Sequence, residues 1–258
     1  MISPTWSDPN NPPIVPPLGD RRAPDLGPVG ILVSAEPDLK LFRSGLARKD
    51  QGIRPKEHGF FLGSLMTEET HYPGISVAGP YIGAPLAVML LESMVARGAR
   101  EIIILGWCGG LTEDLAPGEL VIPDRALVEE GTSQSYLPLD AETPQTVPND
   151  TLSQDLASYL DAQGIAHGRA PIWTTDAIYR ETRDKVDHFI DQGALAVEME
   201  CSALFAAARH RGIPATALLV VSDSLARDKW APAFRHKAFK AARIQACNTL
   251  LDFAKQRA

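Results

Sequence analysis

Short runs of β-branched and aliphatic residues alternate, from Val29 onward, with stretches in which apolar positions recur every three or four residues. That alternation predicts an α/β protein: one domain over 29–258 with a central mixed sheet flanked by helices. Gly30–Ser34 reads as the first strand, and a helix follows over Pro37–Leu46. Further strands are expected over Gly59–Met66 and Gly74–Ala78. In Ala84–Arg97 the residues Leu86, Met89, Leu90 and Val95 fall on helical spacing, with Gly98 as a C-terminal cap. Ile102–Leu105 is a continuous apolar run, the pattern of a strand buried on both faces, and it opens into a glycine-rich turn, Gly106–Gly110. A strand over Glu119–Pro123, a polar loop over Glu129–Tyr136, and helices over Thr151–Ala162 and Ala233–Ala254 complete the pattern. Residues 1–28 are crowded with proline and poor in large apolar side chains, so they read as an arm outside the domain.

Composition narrows the function. A chain of 258 residues with 45% apolar content can bury a substantial core. Its net charge of −7 argues against nucleic acid as a partner, because phosphate binding needs an excess of Lys and Arg. Three widely spaced cysteines, Cys108, Cys201 and Cys247, form neither a Cys-x-x-Cys pair nor a Cys/His cluster. No zinc site or disulfide framework is expected, and a reducing cytoplasm fits. No apolar segment reaches the roughly 18–20 residues that cross a bilayer, and the N-terminal residues lack the pattern of a signal peptide, so no membrane partner is expected.

The chemistry concentrates between Ala196 and Ser224. Glu198 and Glu200 sit inside one apolar run, and Asp223 closes another, Leu218–Ser222. An ionised side chain buried without partners is costly or has its pKa moved, so repeated carboxylates in such runs point to a ligand. Gly79–Pro85, Gly106–Gly110 and the two acidic segments all fall near strand ends, where open α/β sheets bind ligands.

Together, Val197-Glu198-Met199-Glu200, Val221-Ser222-Asp223, the Gly106–Gly110 turn, Glu130-Gly131-Thr132-Ser133 and the segment Trp173–Tyr179 resemble the nucleoside phosphorylase family. That family includes purine nucleoside and uridine phosphorylases and methylthioadenosine nucleosidases, and the resemblance runs from about Gly30 to Phe253. It implies a nucleoside phosphorylase-like fold that cleaves the N-glycosidic bond of a nucleoside. Asp223 would face the purine N7 and act as general acid. Glu200 would accept hydrogen bonds from the ribose hydroxyls, with Met199 packed under the sugar. Val197, Ile178 and Tyr179 would flank the base, and Glu198, Trp107, Cys108 and Gly109 would complete the substrate-binding set. The Glu130–Ser133 loop would lie near the sugar. No cofactor or metal is implied, only phosphate as co-substrate, and the family's habit is a homo-oligomer, a dimer or a trimer of dimers.

The departures concern the attacking group. Where phosphorylases place an Arg and a Ser or Thr as phosphate ligands, this chain has Ile104 and Trp107, and Ala35–Leu39 lacks a second Arg. Charge-assisted hydrogen bonds of this kind are worth roughly 1.5–3 kcal/mol each, so phosphate capture weakens unless Lys40, Arg43 or Arg54 substitutes. Nucleosidases use a carboxylate near the first strand to activate water, and Asp38, or its neighbour Glu36, falls in a similar place. An acidic first helical turn favoured by the macrodipole explains the same pair equally well. Three readings follow: a phosphorylase, a phosphate-independent nucleosidase, and a noncatalytic nucleoside-binding protein.

Overall fold

The computed structural model describes residues 8, 11–17, 26–46, 56–62, 65–227 and 229–258, with the backbone alone over 56–62 and 65–71. In chain order the first half runs β1 (Val29–Val33), α1 (Glu36–Leu46), β2 (Lys56–Leu62), β3 (Leu65–Tyr72), β4 (Ile75–Gly79), α2 (Ala84–Ala96), β5 (Glu101–Gly110), β6 (Leu120–Glu129) and β7 (Gln145–Thr146). It continues with α3 (Asp150–Ala162), β8 (Gly168–Thr175), α4 (Arg183–Asp191), β9 (Ala196–Glu198) and α5 (Cys201–His210). The last elements are β10 (Ala215–Ser224), β11 (Ala231–Pro232) and α6 (Lys237–Lys255).

The strands form one mixed sheet. Parallel pairing joins β4 to β1 and β1 to β5, and the antiparallel β2 and β3 extend that edge. Beyond β5 the sheet closes on itself: β5 pairs with β10, β10 with β6, β6 with β8, β8 with β9, and β9 with β5. Period-two alternation divides the core between the two faces. Ile102 and Ile104 of β5 pack with Leu91, Leu204 and Phe205 of α2 and α5. Ile103 and Leu105 pack with Phe42, Phe239 and Leu250 of α1 and α6.

The expected glycine-rich turn is instead strand. Gly106–Gly110 continues β5 and pairs with β10 along its length. The glycines serve close approach: a Cβ on Gly109 would lie 2.5 Å from Leu225 Cδ1 and 3.2 Å from Asp223 Oδ2, and one on Gly110 2.6 Å from the Leu115 carbonyl. The single strand expected over Gly59–Met66 is divided between β2 and β3, which pair antiparallel. The Glu119–Pro123 strand runs on to Glu129, and the last helix begins at Lys237, four residues later than expected. Of the arm over 1–28, most lies outside the described residues. Residues 11–16 are exposed and take neither helix nor strand, whereas Leu26 is buried, its N–H donating to the Arg97 carbonyl at 2.9 Å.

Candidate active site

A cavity of about 640 Å³ opens where β5, β9 and β10 end. Cys108 and Gly109 come from β5, Val197 and Glu198 from β9, and Ser222 and Asp223 from β10. Met199 and Glu200 follow β9 directly. Ile178 and Tyr179 reach it from a single 3-10 turn after β8, Tyr81 and Ile82 from the loop before α2, and Trp107 from the face of β5 toward α6. Glu200 and Asp223, separate in the chain, therefore face one space.

On one side of the cavity, Glu198 and Glu200 are both buried but differently used. Glu198 Oε2 accepts the N–H groups of Glu200 and Cys201 at 2.7 Å each, capping α5, and Oε1 accepts the Thr174 hydroxyl. Glu198 is thus bound into the scaffold. Glu200 Oε1 accepts the N–H of Gly83 at 2.6 Å. Gly83 has φ +81°, a left-handed conformation that suits glycine and lets this N–H precede α2. Burial first, then the charge of Glu198, pushes the Glu200 carboxyl up to about 8, against the pull of the Gly83 N–H. The Tyr81 hydroxyl is buried beside these carboxylates and has no hydrogen-bond partner among the described residues. Burial pushes its pKa up, so it stays a neutral donor.

On the other side, β10 carries a bulge between Val221 and Asp223 relative to β5. The bulge lets Ser222 and Asp223 both line the cavity. Ser222 Oγ lies 2.5 Å from Asp223 Oδ1, and the Trp230 indole N–H donates to Oδ2 at 2.7 Å. Trp230 immediately precedes β11, whose pairing of Pro232 with Asp223 holds that segment against β10. Two donors therefore fix the plane of the carboxyl. A third carboxylate, Glu181, lines the same end. Burial, Asp223 and Glu129 push it up to about 7, while Lys185 pulls it down. Lys185 is already engaged by Glu129, which also accepts the Trp173 indole N–H at 3.0 Å.

Asp38, expected to activate water, lies apart from this cavity. It is 1% exposed and is not among the residues lining the cavity. Arg243 donates twice to Oδ1, at 2.5 and 2.8 Å, and the Trp107 indole N–H donates to Oδ2 at 2.7 Å. Three of the roughly four acceptor positions on its two oxygens are thus taken by the protein. Glu36 is an exposed helix residue paired with Lys40 at 2.7 Å. Neither Lys40 nor Arg43 lines the cavity, and Arg54 lies outside the described residues. The Glu130–Ser133 loop also misses the cavity: Glu130 accepts the Ser133 N–H and the Ser202 hydroxyl, tying the loop to α5. Tyr81, Glu181, Trp230 and Phe234 are lining residues that sequence reasoning missed. Only Tyr81 carried a signal, its place in the Gly79–Pro85 segment. Among the described residues no group of three His, Cys, Asp or Glu side chains is arranged to hold a metal.

Solved structures share this architecture. Purine nucleoside phosphorylase from Toxoplasma gondii, in complex with immucillin-H, superposes with a TM-score of 0.73 at 20% identity, over 90% of this chain and 93% of that one. Futalosine hydrolase of Helicobacter pylori gives a TM-score of 0.68 at 19% identity, over 89% and 96%. At these identities the likeness is one of fold. In sequence, a guanosine phosphorylase of Halorubrum lacusprofundi is 32% identical over 151 residues, 58% of this chain. The chain spans 61% of the length of that relative. The family model of the phosphorylase superfamily matches residues 28–255, every strand and helix described above included, and the chain belongs to that superfamily.

Proposed function

We propose that this chain cleaves the N-glycosidic bond of a purine nucleoside. The observation that supports it is the meeting of Glu200 and Asp223 across one cavity, each held by donors from the scaffold. In the proposed reaction the C1′–N9 bond breaks toward the base, and Asp223 delivers a proton to N7 so that the base does not leave as an anion. The sugar becomes oxocarbenium-like, and Glu200 stabilises it through its hydroxyls. The unpartnered Tyr81 hydroxyl is a further donor for the sugar. Met199 packs under the ring, and Ile178, Tyr179 and Val197 wall the base.

For the acceptor, the cavity favours water. Four lining residues are carboxylates, Glu181, Glu198, Glu200 and Asp223, and none of the described ones is Lys or Arg. A phosphate dianion placed there would find no cationic side chain among the described lining residues to hold it. Trp107, at the position where the resemblance expects a hydroxyl ligand, gives its only polar hydrogen to Asp38. Phosphorolysis is the second reading, favoured by the reaction in the name of the guanosine relative. We also propose a homo-oligomer, a dimer or a trimer of dimers, and a cytoplasmic protein, in keeping with three free, buried cysteines.

The test is product release from guanosine, inosine, adenosine and methylthioadenosine, with and without phosphate. Free ribose formed at the same rate without phosphate is expected, and ribose 1-phosphate formed only with phosphate selects the second reading. Asp223→Asn is expected to lower kcat by about 10²–10⁴-fold. Nucleoside binding with no turnover under either condition would make the chain a binding protein.

A further inference from the structure

We infer that the substrate carries an anionic group on its 5′ carbon, as a nucleoside 5′-monophosphate does, and that the basic run 229–240 at the cavity mouth binds it. The inference rests on the nucleoside-cleaving reading above and names its substrate class. The phosphate takes no part in the bond change and leaves on the released sugar.

From Arg227 to Arg243 the chain has six Lys or Arg against one acid, Asp228, although its net charge is −7. Arg227 is paired with Glu113, and Arg243 with Asp38. The other four, Lys229, Arg235, Lys237 and Lys240, are exposed, and none has an ion-pair or hydrogen-bond partner for its side chain among the described residues. The first turn of α6 holds Lys237 and Lys240 and no acid. Cations there oppose the helix dipole, so the charges do not serve the helix. Interleaved with them in the chain are Trp230 and Phe234, which line the cavity and are 60% and 41% exposed. The start of the basic run therefore stands at the cavity mouth.

Its position selects the 5′ carbon. With Asp223 at N7, Ile178 and Tyr179 wall the base, while Trp230, Phe234 and Trp107 form a second wall, each ring centroid 6.0 Å from the next. Trp107 stands where the resemblance expects a ligand of the attacking group, near C1′, so this second wall follows the sugar. N7 adjoins C8, and in an anti nucleoside C8 lies beside the 5′ carbon. Glu200 takes the ribose hydroxyls across the cavity, which leaves the 5′ carbon on the side of Asp223 and of Trp230, its donor at 2.7 Å. No Lys or Arg is among the described lining residues, so the phosphate stays at the mouth, within reach of long cationic side chains from the run.

The experiment compares kcat/KM for guanosine, inosine and adenosine, each against its own 5′-monophosphate. The proteins are the unaltered chain, the double variant Lys229→Gln with Arg235→Gln, and a control, Arg209→Gln, which removes an exposed cation beside Ala215, at the opposite end of β10. An exposed charge pair is worth up to about fivefold. With several acting together, the monophosphate of the preferred base is expected to exceed its nucleoside by about 10–100-fold at about 0.05 M salt, and to lose most of that advantage at about 0.5 M. The double variant is expected to lower the ratio about 10-fold, and Arg209→Gln to leave it within about twofold. A ratio near one in the unaltered protein, a ratio indifferent to salt, or the same ratio in the double variant would overturn the assignment. Should the unaltered protein cleave neither nucleosides nor monophosphates, the function reading fails by itself, and equilibrium binding of the same pairs decides the basic run. A monophosphate bound about 10-fold more tightly than its nucleoside, with that advantage lost in the double variant, supports it; equal binding of the two overturns it.

Discussion

Glu200 is the residue on which burial and function pull in opposite directions. Its carboxyl moves from an ordinary 4.5 to about 8 in the folded protein. Between those values the folded state holds a proton that the unfolded state has released. The contribution of this group to stability is therefore complete below about pH 4.5 and is lost as pH rises through 8. Glu200→Gln, which cannot ionise, is expected to flatten that decline, read as urea midpoints at about pH 5, 6.5 and 8; parallel curves for the two proteins would refute the assignment. Glu198, Glu200 and Asp223 were legible in the sequence because each is a carboxylate inside an apolar run. Glu181, in the polar stretch Arg180–Asp184, offered no such contrast. That Asp38 lies apart from the cavity was not legible, because the partners that hold its oxygens, Trp107 and Arg243, stand 69 and 205 positions away.

At the scale of elements, the Asp38–Arg243 pair locks α1 to α6, with the guanidinium also 4.9 Å over Trp107 and 5.6 Å over Phe239. Removing one partner of a buried pair strands the other charge. Arg243→Ala is expected to cost about 3–5 kcal/mol in urea denaturation, whereas Asp38→Leu combined with Arg243→Met recovers most of it. A loss below about 1 kcal/mol in the single variant would mean that the lock contributes little. Helices with an apolar stripe and polar exterior were readable: α1 and α3 fall within one residue of their expected bounds. The helix α5 was not, because Cys201–Ala208 is buried throughout and shows no period of 3.6. The Gly106–Gly110 stretch looked like a turn because glycine marks both turns and crowded strands. Only the neighbours β9 and β10, brought in from far along the chain, separate the two cases.

At the scale of the molecule, apolar side chains rim the cavity in the open: Ile82 is 73%, Tyr179 97% and Trp230 60% exposed. A rim of this kind around a binding site is a natural surface for a second copy. Sedimentation is expected to give a multiple of 27.9 kDa, and Ile82→Glu to shift it toward the single chain. A monomer at micromolar concentration would refute the oligomer. The mixed sheet was legible as a class from the alternation of strands and helices. Its closure through β5, β9 and β10 was not, since pairing partners leave no mark in the order of residues. The lock between α1 and α6 also sets a timetable for biogenesis. At about 5–20 residues per second, roughly 10–40 s of translation separate Asp38 from Arg243, 205 residues later. Throughout that interval the newborn chain carries an acid with no counter-charge and a β5 edge still waiting for β10, so it must be kept from sticking to its neighbours until its final helix is made.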